Sequence, residues 1–247
     1  MAMTGLLPAA QDPAESDSSA EGLSDLSLEE LMNVEVEIVS KKQESLARVP
    51  AAVTVMTSED IRRTGAQTLP DILRQAIGVN VAQQNANYWA VSIRGFNDVF
   101  ANKLLVMMDG RSVYSPLFSG TFWDVQDAVL ADIDRIEIVR GPGATVWGAN
   151  AVNGVINIIS KSAKDTQGTL FKAGFGSELQ GVVSARHGYK LSDELFLRLY
   201  GKYANWDNLS QPVSGVSAND AYHTARGGFR ADYEPEGGAK LTLQGEV

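Results

Sequence analysis

Two textures of hydrophobic and polar residues divide the chain, with the change near residue 165. Upstream, apolar runs are short and end on turn residues. Residues 51–56 (AAVTVM) read as a strand. Thr57 with Asp60 forms the reciprocal start signal of a helix, which Gly65 ends. Thr68 with Asp71 opens a second helix, TLPDILRQAIG, that Gly78 ends. Short strands follow over 79–82, 91–94 and 104–109, and Asp109-Gly110 is a hairpin-type turn into 111–114. Residues 132–140 form another strand, with Ile133, Ile136 and Ile138 among charged neighbours, and VINIIS at 155–160 is the last of this kind.

Downstream, five longer segments alternate strictly: 168–176, 181–190, 194–204, 222–233 and 239–247. In the second, Ser184, Arg186 and Lys190 oppose Val183, Ala185 and Tyr189. In the third, Arg198 and Lys202 oppose Leu195, Leu197, Leu199 and Tyr203. In the fourth, Thr224, Arg226, Arg230 and Asp232 oppose Ala225, Phe229, Ala231 and Tyr233. In the fifth, Lys240, Thr242, Gln244 and Glu246 oppose Leu241, Leu243 and Val247. Segments of about ten residues with charges on one face and aliphatics on the other are the pattern of a transmembrane β-barrel. A soluble antiparallel sandwich also alternates, so the pattern alone leaves both open. The connections at 191–193 and 234–238 are short and that at 205–221 is long and polar, as in barrels with short periplasmic turns and longer outer loops.

Composition sharpens the picture at the front. Residues 1–40 hold nine of the 30 acids and no Lys or Arg, so the formal charge of −9 belongs to this leader and the rest is neutral. Residues 1–24 read as disordered. Residues 25–33 read as a short helix with Ser27 as N-cap and Glu30 in the capping box, and 34–40 (VEVEIVS) as an extended segment. A neutral body gives no case for nucleic-acid binding. The absence of cysteine rules out disulfides and thiolate chemistry. No run of about 18 apolar residues exists to form a transmembrane helix, and MAMTGLLPAA lacks the basic start of a signal peptide. Val247 stops inside a strand-like segment. Together these ends suggest a truncated or misannotated gene model, with a genuine short paralogue as the alternative.

Candidate chemistry is sparse. GPGATVWGAN has neither GxxxxGK[ST] nor GxGxxG spacing. His187 and His223 are single and far apart, which predicts structural roles and no metal site. No Ser/His/Asp set has a recognisable context. An enzyme is therefore not expected, and neither is a cofactor.

The motifs of the first half are more specific. PAAVTVMTSEDIRRTG (50–65), Ile93-Arg94-Gly95-Phe96, LLVMMDGRSVY (104–114) and DIDRIEIVRGPGATVWGANAVNGVINIIS (132–160) resemble the plug of TonB-dependent outer-membrane receptors. The resemblance implies an α+β plug domain followed by the antiparallel β strands of an incomplete transmembrane β-barrel. It divides the chain into an acidic leader (1–33), a TonB-box-like segment (34–45), the plug (46–162) and about five barrel strands (163–247). A barrel of about 22 strands encloses a lumen too wide for side chains to fill, hence the plug. The box candidate is Val36, Glu37, Ile38, Val39 and Ser40, which the periplasmic protein TonB would capture by adding a strand. Arg94, Glu137 and Arg140 match positions that lock plug to barrel, with acidic partners expected on strands this chain does not have. Gly95, Gly141, Gly143, Gly148 and Gly154 are expected where backbone meets backbone. Asn87, Tyr88, Trp89, Phe118, Phe122 and Trp123 are candidates for loops that touch ligand, with plain packing as the alternative. The implied function is TonB-dependent uptake across the outer membrane of a scarce ligand, most often a ferric siderophore, otherwise a cobalamin, a sugar or a metal complex. The rival is a non-transporting periplasmic plug-like binding module or the product of a pseudogene.

Overall fold

The structure, a computed structural model, describes residues 35–36, 44–45, 51–209 and 219–247. The acidic leader with its helix, and Glu37, Ile38, Val39 and Ser40 of the box candidate, lie outside the described residues. Val36 is described: β1 (Glu35–Val36) pairs antiparallel with β2 (Glu44–Ser45), and the Val36 side chain is buried.

An α+β unit follows. It opens with β3 (Val53–Thr57) and α1 (Ser58–Thr64). Both halves of the capping box form: the Asp60 amide donates to Thr57 Oγ1 at 3.2 Å, and the Thr57 amide donates to Asp60 Oδ2 at 2.9 Å. Gly65 takes φ +66, the left-handed helix end that glycine adopts without strain. Thr68 caps α2 (Leu69–Leu73), with Pro70 in its first turn. This helix is shorter than expected. Beyond Leu73 the amides of Gln75 and Ala76 bond carbonyls three residues back, at 3.0 and 3.1 Å, so the chain tightens into turns before Gly78.

Then come β4 (Val79–Gln83) with β5 (Trp89–Ile93), β6 (Leu104–Met108) with β7 (Arg111–Ser112), and β8 (Tyr114–Ser115) with β9 (Gly120–Thr121), each an antiparallel pair. Asp109 and Gly110 have φ +48 and +76, the two left-handed residues of a tight hairpin turn. The expected strand over 111–114 breaks at Val113, whose amide bonds Val106 O at 3.1 Å while its side chain enters the core. A 3-10 turn (Leu130–Asp132) leads to β10 (Ile133–Arg140), α3 (Ala144–Trp147) and β11 (Gly154–Ser160). The main sheet has the order β3-β10-β11-β6-β7, antiparallel except between β11 and β6.

Alternation sorts this sheet into two faces. Ile136, Ile138, Ile156 and Ile158 point to one side, where α2 (Leu69, Ile72, Leu73) and the β4–β5 hairpin (Val91, Ile93) complete the main core. Each such side chain contributes about 1.5–3 kcal/mol by leaving water. Val139, Val155, Leu105 and Met107 point to the other side and form a smaller cluster with Ala151 and Trp147.

The remaining strands form an antiparallel meander: β12 (Gly168–Gly174), β13 (Leu179–Lys190), β14 (Leu195–Trp206), β15 (Tyr222–Tyr233) and β16 (Leu241–Glu246). This sheet is not closed: among the described residues β12 and β16 each pair on one side only. Its register puts Lys202 opposite Ser184 and Arg226, and Leu199 opposite His187 and Phe229. The polar face turns to the α+β unit and the apolar face turns out, with Phe171 65% and Leu243 61% exposed and Leu199, Tyr203, Phe229 and Tyr233 also uncovered. A soluble sandwich would bury that face. The inverted arrangement is that of a membrane wall, polar toward its lumen and apolar toward lipid.

Candidate functional site

The seam between the α+β unit and the meander is built from charge. Residues 124–132, between β9 and β10, run along strands β13 to β15. From one end of this segment to the other, Arg226 Nη2 donates to the Asp124 carbonyl at 3.1 Å, the Lys202 ammonium pairs with Asp127, Arg186 Nη1 donates to Asp132 Oδ1 at 2.6 Å, and Arg198 Nε stands 3.7 Å from Asp132 Oδ2. The last is an ion pair too long for a hydrogen bond. Nearer the turn between β15 and β16, Arg230 Nη1 donates to Ser160 Oγ at 2.8 Å and lies 3.8 Å from Asp109 Oδ2, and Asp232 Oδ2 accepts from the Ala163 amide at 2.6 Å. Asp109 also ties its own unit together, accepting from the Ser160 amide at 2.7 Å.

These charges are out of water: Asp132 is 5% and Arg198 4% exposed. Burial pushes the Asp132 carboxyl above its ordinary value, opposed by the nearby cations Arg198, Arg186 and Lys161. Burial likewise raises Asp124. Beside these pairs a cavity of about 560 Å³ opens between the two units, lined by Asp109, Asp132 and Glu246 and by Arg111, Arg198 and Arg230. Acids and bases balance around it.

The residues expected to lock the units sit elsewhere. Glu137 is fully buried and accepts from Arg135 Nε at 2.9 Å, within the α+β unit. Arg94 is exposed at φ +58, with its guanidinium against Gly141, and the Arg140 side chain packs on Gly78. Neither arginine makes an ion pair among the described residues. Of the five glycines, Gly154 alone meets backbone: a Cβ there would lie 2.6 Å from Val139 O and 2.7 Å from Ile93 Cδ1. Gly143 abuts the Val155 side chain, while Gly95 and Gly148 have nothing nearby and take positive φ instead.

The aromatic candidates separate into two groups. Trp89 and Trp123 are buried in the main core, Trp89 under the Arg74 guanidinium at 5.4 Å. Their rings pack within that core. Tyr88, Phe118 and Phe122 cluster at one end of the unit with Phe100, which no sequence motif marks. Phe118 stacks on Phe122 at 3.6 Å and meets Phe100 at 4.9 Å and Tyr88 at 6.3 Å. Asn87 lies in the same turn, its amide donating to Asn85 Oδ1 at 3.1 Å. Asp220, at the end of the long loop between β14 and β15, accepts from the Ala86 amide at 2.7 Å and joins this end to the meander.

The profile described as the TonB-dependent receptor plug domain matches residues 45–155. Those residues are a TonB-dependent receptor plug domain. The vitamin B12 transporter BtuB of Vibrio vulnificus (strain CMCP6) is 31% identical over 179 residues, covering 71% of this chain and 28% of the relative. That of Vibrio cholerae (strain ATCC 39541) is 34% identical over 185 residues, covering 74% and 29%. The chain thus spans under a third of the length of the curated relatives it matches. The pyoverdine outer membrane receptor FpvA from Pseudomonas aeruginosa PAO1 superposes with a TM-score of 0.66 at 17% identity, over 86% of this chain and 29% of that one. The ferric yersiniabactin uptake receptor FyuA from Yersinia pestis gives 0.63 at 17%, over 79% and 31%. These two likenesses show the fold. The family is one of the outer membrane, and its members are not enzymes.

Within this plug domain the seam acids Asp109, Asp124, Asp127 and Asp132 went unnoticed in the sequence. Their bases were visible as one face of alternating strands. Asp124, Asp127 and Asp132 lie in an irregular stretch with no period to mark them, Asp109 reads as a turn residue, and the family resemblance implies a pairing of plug base with barrel acid. Among the described residues four ion pairs join a plug acid to a wall base, and Arg111 with Glu246, at 3.3 Å, runs the other way.

Proposed function

We propose that this plug and wall serve TonB-dependent uptake of a scarce small ligand across the outer membrane. The reading rests on one observation above others: the polar face of the meander holds the plug while the apolar face is left uncovered. A soluble binding module would have no use for that arrangement. In this reading ligand binds at the loops of the aromatic end, and TonB takes the segment from Val36 to Ser40 as an added strand. Pull on that segment then rearranges the plug. Arg94 and Arg140 would meet wall groups beyond these five strands, while Glu137 is held inside the plug by Arg135.

Ferric siderophores are the ligands implied by the family at large. A cobalamin is the second candidate, favoured by the vitamin B12 transporters among the relatives. The test is accumulation of labelled ligand by cells carrying the protein, with and without TonB. Uptake that stops without TonB supports the reading, and uptake that is indifferent to it overturns it. Ile38→Pro removes a backbone donor that strand addition needs. It is expected to abolish uptake and leave ligand binding unchanged.

A further inference from the structure

One carboxylate joins the mouth of the β14–β15 hairpin to the plug. Residues 207–209 leave β14, and 220–221 lead into β15. Asp220 Oδ1 accepts from the Leu209 amide at 3.0 Å, and Asn208 Oδ1 accepts from the Ala221 amide at 2.9 Å. These two bonds cross between the ends of the long connection and close its neck. The Asp207 amide donates to the Glu178 carbonyl at 2.8 Å, which ties the neck to the start of β13. Trp206 and Tyr222, opposite each other at the last step of the ladder, stack with ring centroids 6.1 Å apart. The neck is thus a continuation of the wall.

The second oxygen of Asp220 is not needed to close the neck. Oδ2 accepts from the Ala86 amide at 2.7 Å, in the turn between β4 and β5. Ala86 is 3% exposed, and a buried amide that loses its acceptor bears the full cost of desolvation. The turn around it is stiff. Asn85 Oδ1 accepts from the amides of Asn87 and Tyr88 at 3.1 and 2.7 Å, and the Gln84 amide donates to the Tyr88 carbonyl at 2.9 Å. Ala86 therefore carries Tyr88 with it, and Tyr88 leads into β5, which is buried along its whole length. The bonds across the charged seam run to residues 109–132 and 160–163. Asp220 reaches the β4–β5 hairpin instead.

We infer that Asp220 is a positioning residue that couples the ends of wall strands β14 and β15 to the β4–β5 hairpin of the plug. Whatever shifts the neck then shifts Ala86 and Tyr88 as well, whichever ligand the protein takes up. The experiment is hydrogen–deuterium exchange of the protein in outer membranes, read by mass spectrometry over residues 84–88, with 133–140 and 154–160 as the reference core. Asn208→Ala opens the neck on the wall side and removes no hydrogen bond to the plug. It is expected to raise exchange over 84–88 about threefold while Asp220 is present, and to leave it unchanged in the Asp220→Ala background. An Asn208→Ala protein in which 84–88 is unmoved, or is raised equally with and without Asp220, would overturn the coupling. Should Asp220→Ala also raise exchange across the reference core, Asp220→Asn takes its place, since it keeps the side-chain shape but has one acceptor oxygen for two amides. The same loss of transmission is expected in that background, and persistence of the threefold rise there overturns the coupling equally.

Discussion

Asp132 shows how charge is handled where plug meets wall. Its carboxylate faces two guanidiniums, Arg186 and Arg198, and is itself 5% exposed. Replacing it by Ala would leave both cations without their acid. Breaking a buried pair from one side costs about 3–5 kcal/mol, so Asp132→Ala is expected to lower the unfolding free energy by that order in a denaturant titration. The same residue carries a pH signature. Burial raises its pKa above the ordinary 3.8, so between 3.8 and the raised value the folded protein holds more protons than the unfolded chain. Stability therefore falls as pH rises through that window and returns on acidification. Asp132→Asn is expected to remove its share of this slope, which paired unfolding curves across the window would reveal. Sequence reading could not find this residue, because burial comes from the wall that covers it and its neighbours in the chain carry no sign of it.

At the scale of elements, legibility followed local chemistry. Thr57 with Asp60, Thr68 with Asp71, and Asp109 with Gly110 each make their bonds within three residues, and all three form as read. Where packing decides, the reading drifted. α2 stops at Leu73 although TLPDILRQAIG continues in helical style, and Val113 splits a strand to fill the core. α3 was not foreseen: the four residues Ala144–Trp147 sit between glycines and lack an N-cap side chain. Gly154 is the element-scale test. Its position facing Val139 O leaves no room for a Cβ, so β11 and β10 would have to part near their ends. Gly154→Ala is expected to destabilise the plug by about 1–3 kcal/mol, whereas an Ala at the open position Gly181 has nothing nearby to strike. Comparing thermal midpoints of the two variants checks this.

For the molecule as a whole, the five alternating strands were legible almost to their limits, since a period of two survives in sequence whatever lies on either side. The sense of the sheet was not. Alternation says that one face is polar and one apolar, and is silent on which is covered. The plug supplies the answer through Asp124, Asp127 and Asp132, whose partners Arg226, Lys202, Arg186 and Arg198 all lie on the polar face. Everything proposed about uptake depends on this inside-out packing. The chain has no cysteine, so single thiols can be placed cleanly. Leu199→Cys on the apolar face and Asn208→Cys in the long loop, in membranes carrying the protein, would be treated with a charged, water-borne maleimide and with a lipid-soluble one. The account predicts that Cys at 208 reacts with the charged reagent, while Cys at 199 is shielded from it and reacts with the lipid-soluble one. Ready labelling of position 199 by the charged reagent would contradict it, for that face would then meet water and the wall would not be a wall of the membrane.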